Sequence, residues 1–171
     1  MNRYKTIKAL GDGTYGSVTK AVNRTSGEIV AIKRMKKKFY SWEECMQLRE
    51  VQALKKLNHA NIVKLKEVIR ENDELFFVFE FMETDLHAAI RANILQDIHK
   101  QYITWQALKA LKYMHSADLL HRDMKPSNLL LNSDCLMKVA DFGLARSMGE
   151  VASCSADGQS AVLTDYVATR W

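Results

Sequence analysis

Apolar and β-branched positions cluster in five short runs, Tyr4–Leu10, Val18–Val22, Glu28–Met35, Val63–Arg70 and Leu75–Met82. Each run is bounded by Gly, Asn, Asp or Ser, so each is predicted to be a strand. Between the third and fourth runs the period changes. Leu48, Val51, Leu54 and Leu57 recur at helical spacing, and Ser41 followed by Glu44 has the form of a capping box, which predicts one helix over Trp42–Leu57. Beyond Asp85 the pattern is helical again, with Ile94, Ile98, Tyr102, Trp105, Leu108 and Leu111 on one face up to about His115. Short strands are predicted around His121 and over Asn128–Leu131 and Met137–Ala140. From Gly143 to Leu163 the residues are mainly Ser, Ala and Gly, which predicts a loop with little to pack. The chain is thus α+β: a strand-rich unit over residues 1–82, a connection at 83–85, and a mainly helical unit over 86–171.

Composition narrows this picture. With 171 residues and 47% apolar content, the chain can bury a sizeable core and is not intrinsically disordered. Its longest unbroken apolar run, Leu75–Phe79, is far too short to span a bilayer, and its first eight residues lack the apolar region of a secretory signal. Cys45, Cys135 and Cys154 are odd in number and lack metal-ligand spacing, which fits a reducing compartment. The net charge of +5 is spread along the chain except for the run Lys33–Lys38. That run reads as a solvated surface loop, so neither nucleic acid nor a membrane is expected as a partner.

The first chemical signal is Gly11-Asp12-Gly13-Thr14-Tyr15-Gly16-Ser17-Val18. Glycines at this spacing let backbone N–H groups approach phosphate oxygens, although a plain glycine-rich hairpin has the same pattern. A Walker A loop needs Lys after the last glycine, where Ser17 stands. A dinucleotide-binding fingerprint needs a helix next, where a strand follows. Lys33 shares a strand face with Ala31, while Val30 and Ile32 face the other way. Glu50 falls on the buried side of its helix, between Leu54 and Leu57. A carboxylate there needs a cationic partner, and Lys33 is the natural one.

Further on come His121-Arg122-Asp123-Met124-Lys125-Pro126-Ser127-Asn128 and Asp141-Phe142-Gly143. Together with the glycine loop, Val30-Ala31-Ile32-Lys33 and the helix acid, they stand in the order of the eukaryotic protein kinases, which the whole chain resembles. The resemblance implies a protein-kinase-like fold, ATP with Mg²⁺, and protein substrates. Asp141 and Asn128 would be the metal ligands, and Lys33, oriented by Glu50, would hold the α- and β-phosphates. Asp123 would accept the proton of the attacking hydroxyl, and Lys125 would steady the γ-phosphate. By alternation Asn128 and Leu130 would share one strand face. Leu10, Val18, Ala31, Val63 and Leu130 would sandwich the base under the loop Gly11, Asp12, Gly13, Thr14, Tyr15 and Gly16. Phe79 would back the pocket, Glu80 and Met82 would offer backbone hydrogen bonds, and Asp85 would lie near the ribose. For the apolar members, ordinary core packing is the competing reading.

Lys125-Pro126 resembles the Ser/Thr-specific kinases, and Thr164-Asp165-Tyr166 looks like the dual phosphorylation site of the MAP-kinase branch. The N-terminal part is most similar to the male-germ-cell-associated and intestinal-cell kinases. The part from Asp85 onward is closer to the atypical extracellular-signal-regulated kinases. The resemblance implies a Ser/Thr kinase acting on residues followed by proline, in the cytoplasm with nuclear or ciliary sites. Thr164 and Tyr166 would be phosphorylated by an upstream kinase or by the protein itself, and Arg122 would dock the phosphate. The cyclin-binding signature is missing from the helix, so no cyclin is expected. Kinase domains run past Trp171, so the chain reads as the N-terminal part of one. An inactive fragment or a pseudokinase-like binding module stays as the alternative.

Overall fold

The computed structural model describes residues 1–13 and 16–149. Its upper part is a five-stranded antiparallel sheet in the order β1-β2-β3-β5-β4. The strands are β1 (Tyr4–Asp12), β2 (Gly16–Asn23), β3 (Ile29–Met35), β4 (Leu65–Glu71) and β5 (Glu74–Glu80). All five expected runs are strands. The fourth starts two residues late because Asn61–Val63 bond elsewhere. Val63 N–H donates to the Val139 carbonyl (3.0 Å), and Val139 N–H donates to that of Asn61 (2.9 Å). Asn72 (φ 51°) and Asp73 (φ 59°) make the tight turn between β4 and β5. Both residue types tolerate the left-handed conformation that a two-residue hairpin requires.

Alternation sorts β3 as expected. Val30 and Ile32 join Ala21, Phe76 and Val78 on the outer face, whereas Ala31 packs against the inner core with Phe77, Phe79, Val51 and Leu54. Strand β5 is buried over Leu75–Phe79 because both of its faces are covered, which is why the longest apolar run lies there.

The predicted helix over Trp42–Leu57 is two helices, α1 (Trp42–Met46) and α2 (Arg49–Lys56), with Leu48 extended between them. Cys45 and Glu50 would lie about 140° apart on one straight helix. The break lets both reach the interior, where they are 0% and 5% exposed. Only half of the capping box forms. Ser41 Oγ accepts from Glu44 N–H (3.1 Å), but the Glu44 carboxylate accepts from Tyr40 N–H (3.1 Å) rather than from Ser41.

Below the sheet, β6 (Thr84–Asp85), β8 (Leu129–Leu131) and β9 (Met137–Val139) form a small sheet in the order β6-β8-β9. Asp85 caps α3 (Leu86–Arg91) by accepting from Ala88 N–H at 2.9 Å. Helix α4 (Asp97–Ser116) buries Ile103, Gln106, Ala110 and Met114. Most of the predicted apolar stripe faces outward instead: Ile98, Tyr102, Trp105 and Leu108 are exposed and Ile94 precedes the helix, whereas Leu111 is partly buried against the core. A polar residue conceals the buried face. Gln106 Oε1 accepts from Asn61 Nδ2 and from Met137 N–H, each at 2.9 Å, and its Nε2 donates to the Cys135 carbonyl (2.8 Å).

Three further expectations are corrected. The strand near His121 is β7 (Leu119–Leu120), which ends before the histidine. Asn128 does not share a strand with Leu130; it closes the 3₁₀ turn Pro126–Asn128 that leads into β8. The start of the predicted loop is structured, with a 3₁₀ turn over Phe142–Leu144 and β10 (Arg146–Ser147) paired to β7. Thr14, Tyr15, Cys154, Thr164 and Tyr166 lie outside the described residues.

Candidate active site

Lys33, in the middle of β3, projects from the inner face of the sheet toward α2. Its Nζ lies 2.9 and 2.8 Å from the two Glu50 oxygens and 3.3 Å from Asp141 Oδ1. The pair inferred from the helix pattern is therefore present, and Asp141 joins it. The Lys33 and Glu50 side chains are 12% and 6% exposed. Burial works against the charge on Lys33, but the carboxylates of Glu50 and Asp141 outweigh it and hold the ammonium above the ordinary lysine range. Burial raises the Glu50 carboxyl, and Lys33 opposes that rise. Removing one partner of such a pair costs about 3–5 kcal/mol, since it strands a buried charge.

The segment that carries Asp123 is held by His121. Its Nδ1 accepts from Asp123 N–H (3.2 Å), so its Nε2 carries the proton and donates to the Ala140 carbonyl (3.0 Å). The ring also meets the fully buried Phe142 edge-on, with centroids 4.8 Å apart. One neutral imidazole thus ties the residue before Asp141 to Asp123. Asp141 (φ 64°) and Arg122 (φ 70°) both sit in the left-handed region. Such conformations cost roughly 1–3 kcal/mol at a non-glycine residue and persist where the surroundings fix them.

Burial holds the His121 imidazole below the ordinary histidine range, and the Ala140 carbonyl offsets this only in part. With the folded-state pKa below the unfolded one, its contribution to stability is complete above about pH 6.5 and is lost as pH falls through the folded value. We expect the thermal midpoint to drop as pH falls below about 6.5. His121→Gln should flatten that slope, leaving the smaller share from the partly buried His59, whose pKa burial also lowers. An unchanged slope in the variant would show that His121 is not the group responsible.

Asp123, Lys125 and Asn128 form a second cluster. Lys125 Nζ lies 2.9 Å from Asp123 Oδ2. Asn128 Nδ2 donates to the Asp123 carbonyl (2.8 Å) and to its Oδ2 (3.0 Å). Ala140 N–H in turn donates to the Asn128 carbonyl at 2.9 Å, which brings Asn128 beside Asp141.

The sequence-predicted residues of the base slot come from β1, β2, β3, β5 and β8 and from the connections beside them. Ala31 pairs with Phe79 across β3 and β5, and Val18 pairs with Lys33 across β2 and β3. Val63 and Met82 are buried and Leu130 is partly buried, whereas Leu10 on β1 is 45% exposed. The N–H of Glu80 already donates to the Lys64 carbonyl (3.2 Å), so any bond it offers a base comes from its own carbonyl. Sequence reasoning missed the tether on its side chain, which lies 2.9 Å from Lys138 Nζ and accepts from Lys64 N–H at 2.7 Å. Lys20 over the Phe81 ring, 4.1 Å from its centroid, was missed too. Neither pair leaves a periodic signal, because each joins residues far apart in the chain.

The glycines differ in what they permit. A Cβ on Gly16 would stand 2.2 Å from the Arg34 carbonyl, so close packing on β3 requires that glycine. Among the described residues, a Cβ on Gly11 would meet nothing within 4 Å, and one on Gly13 only the Gly16 carbonyl at 3.6 Å. No described residue fills the space beside those two. A magnesium–nucleotide complex suits the donor set. Among the described residues no three His, Cys, Asp or Glu gather as a metal cage. Magnesium is commonly held by one or two protein oxygens with phosphates and water completing its shell, and Asp141 and Asn128 are residues that could supply such a pair.

Comparison with known proteins agrees with this geometry. A family model described as the protein kinase domain matches residues 4–171. The chain is 54% identical to serine/threonine-protein kinase MAK of Mus musculus and 56% identical to serine/threonine-protein kinase ICK of Rattus norvegicus; each match covers the whole chain and 26% of the relative. It is 52% identical to extracellular signal-regulated kinase 2 of Dictyostelium discoideum, over the whole chain and 47% of that protein. The chain thus spans about a quarter to a half of the length of these relatives, and it belongs to the protein kinase domain family.

Proposed function

We propose that the full protein transfers the γ-phosphoryl group of ATP to Ser or Thr hydroxyls of protein substrates. The observation that carries this reading is the convergence of Lys33, Glu50 and Asp141 beside the Asp123–Asn128 cluster. Lys33, held by Glu50, binds the α- and β-phosphates. Asp141 and Asn128 would hold Mg²⁺, which supplies neutralisation of phosphate charge when bound. Asp123 takes the proton of the attacking hydroxyl as its oxygen bonds to the γ-phosphorus and the bond to the β-phosphate oxygen breaks. Lys125 faces the charge that spreads over the transferred group. This is catalysis by positioning and electrostatics. The bonds from Lys33 to Asp141 and from Lys125 to Asp123 hold these charges compensated, and both cations would turn to phosphate oxygens.

Two finer readings belong to the same proposal. The substrate residue is followed by proline, as the likeness to MAK, ICK and an extracellular signal-regulated kinase suggests. Phosphorylation of Thr164 and Tyr166, by an upstream kinase or by the protein itself, raises activity through a phosphate that binds Arg122; such a phosphate adds nearly two negative charges suited to a guanidinium. In the full-length protein, radiolabelled ATP should label Ser-Pro peptides about tenfold or more faster than Ser-Ala peptides. Thr164→Ala with Tyr166→Phe should lower that rate by about tenfold or more. Equal labelling of the two peptides would remove the proline requirement. Full activity in the double variant, with no phosphate found on either residue by mass spectrometry, would remove the switch.

A further inference from the structure

Glu50 can hold Lys33 only while α2 stays against the sheet and the Phe142–Leu144 turn, and some of the side chains that fix the start of the α1–α2 segment lie away from the catalytic groups. Upstream, the connection from β3 to α1 is stitched to the far end of the β4–β5 hairpin. Phe39 N–H donates to the Asp73 carbonyl (2.8 Å). Arg70, on β4, donates through Nε to the Phe39 carbonyl (2.8 Å) and through Nη2 to the Tyr40 carbonyl (2.7 Å) and Asp73 Oδ1 (2.8 Å). The Phe39 side chain is fully buried in the core that contains Cys45, Val51, Leu75 and Phe77. After Tyr40 comes Ser41, the N-cap of α1. One turn on, the buried Cys45 Sγ donates back to the Ser41 carbonyl (3.2 Å). After the extended Leu48, α2 begins, and Glu50 is in its first turn.

We infer that Arg70 is a positioning residue for the Lys33–Glu50 pair: its guanidinium, clamped on the Phe39 and Tyr40 carbonyls and on Asp73, fixes the start of the α1–α2 segment and so the register of Glu50 with Lys33. Chemistry favours Arg in this place. The three bonds use two guanidinium nitrogens in a planar fork, whereas a lysine ammonium is a compact charge on a flexible stem. The guanidinium also compensates a junction that the broken helix leaves weak. Helix α1 has only five residues, well below the length at which a helix is stable without tertiary support. Phe39 supplies the apolar anchor and Arg70 the polar one.

The inference rests on the proposed function only for its effect on turnover, so the experiment reads the segment directly as well. In the full-length protein, Arg70→Met and Arg70→Lys are compared with wild type by hydrogen–deuterium exchange over residues 42–56, by acylation of Lys33 with a lysine-directed reagent, and by steady-state kinetics. Arg70→Met should raise exchange in α1 and α2 by about tenfold and change the rate of Lys33 acylation. It should lower kcat by about tenfold while KM for ATP moves less than threefold, the result of misplacing a catalytic group without removing a phosphate contact. Arg70→Lys should recover part of each change. Unchanged exchange in Arg70→Met would overturn the clamp. Faster exchange with unchanged acylation, or with unchanged kcat in an active protein, would overturn its link to Lys33. A wild type without turnover would defeat the proposed function alone, because exchange and acylation still decide the clamp. Should Arg70→Met fail to fold, Arg70→Lys carries the same readings.

Discussion

Replacing Lys33 with Met is expected to reduce phosphoryl transfer by about 10²–10³-fold, the usual loss when one preorganised charge is removed from a transition state. The same change should lower stability by about 3–5 kcal/mol, because Glu50 is left at 5% exposure without its cation. The two effects can be separated. Glu50→Leu added to Lys33→Met replaces the ion pair with apolar groups, so stability should recover in chemical denaturation while turnover does not. Stability that stays low in the double variant would show that the pair does more for the fold than neutralise itself. Wild-type turnover in Lys33→Met would remove Lys33 from the mechanism.

Asp123→Asn should separate binding from chemistry. Asp123 belongs to the cluster with Lys125 and Asn128 rather than to the one with Lys33 and Glu50. Turnover should therefore fall by about 10²–10⁴-fold, as for a lost general base, with ATP affinity unchanged within about threefold. Calorimetric titration of ATP with magnesium, run beside the rate assay, checks both parts. A collapse of affinity instead would make Asp123 a metal ligand and reverse its role with Asp141.

The sequence showed the parts of this site that local chemistry dictates. Alternation along β3 separated Lys33 from Val30 and Ile32, and a carboxylate on an apolar helix face required a cation nearby. That pairing crosses 17 positions and needed only the cost of a buried charge to be inferred. Strands were legible because each buries an alternating or continuous apolar run. The break at Leu48 was not, since Leu is a good helix former and only the need to bury both Cys45 and Glu50 decides it. The buried face of α4 was hidden because Gln106 is polar by composition and satisfied by partners 29 to 45 positions away. Backbone conformation was the other gap. Nothing in Arg122 as a residue type announces positive φ, and Asp141 is of a type that tolerates it without requiring it; the packing around His121 and Phe142 decides both.

The central claim is that Asp141, Asn128 and Lys33 together form a magnesium–ATP site, and thermal stabilisation by ATP with and without magnesium tests it most directly. At 100 times Kd the wild type should gain about 2.7 kcal/mol with magnesium present and much less without it. Asp141→Asn should lose the magnesium-dependent part and fold as before. Equal stabilisation with and without magnesium, or a variant that responds as the wild type does, would contradict the assignment.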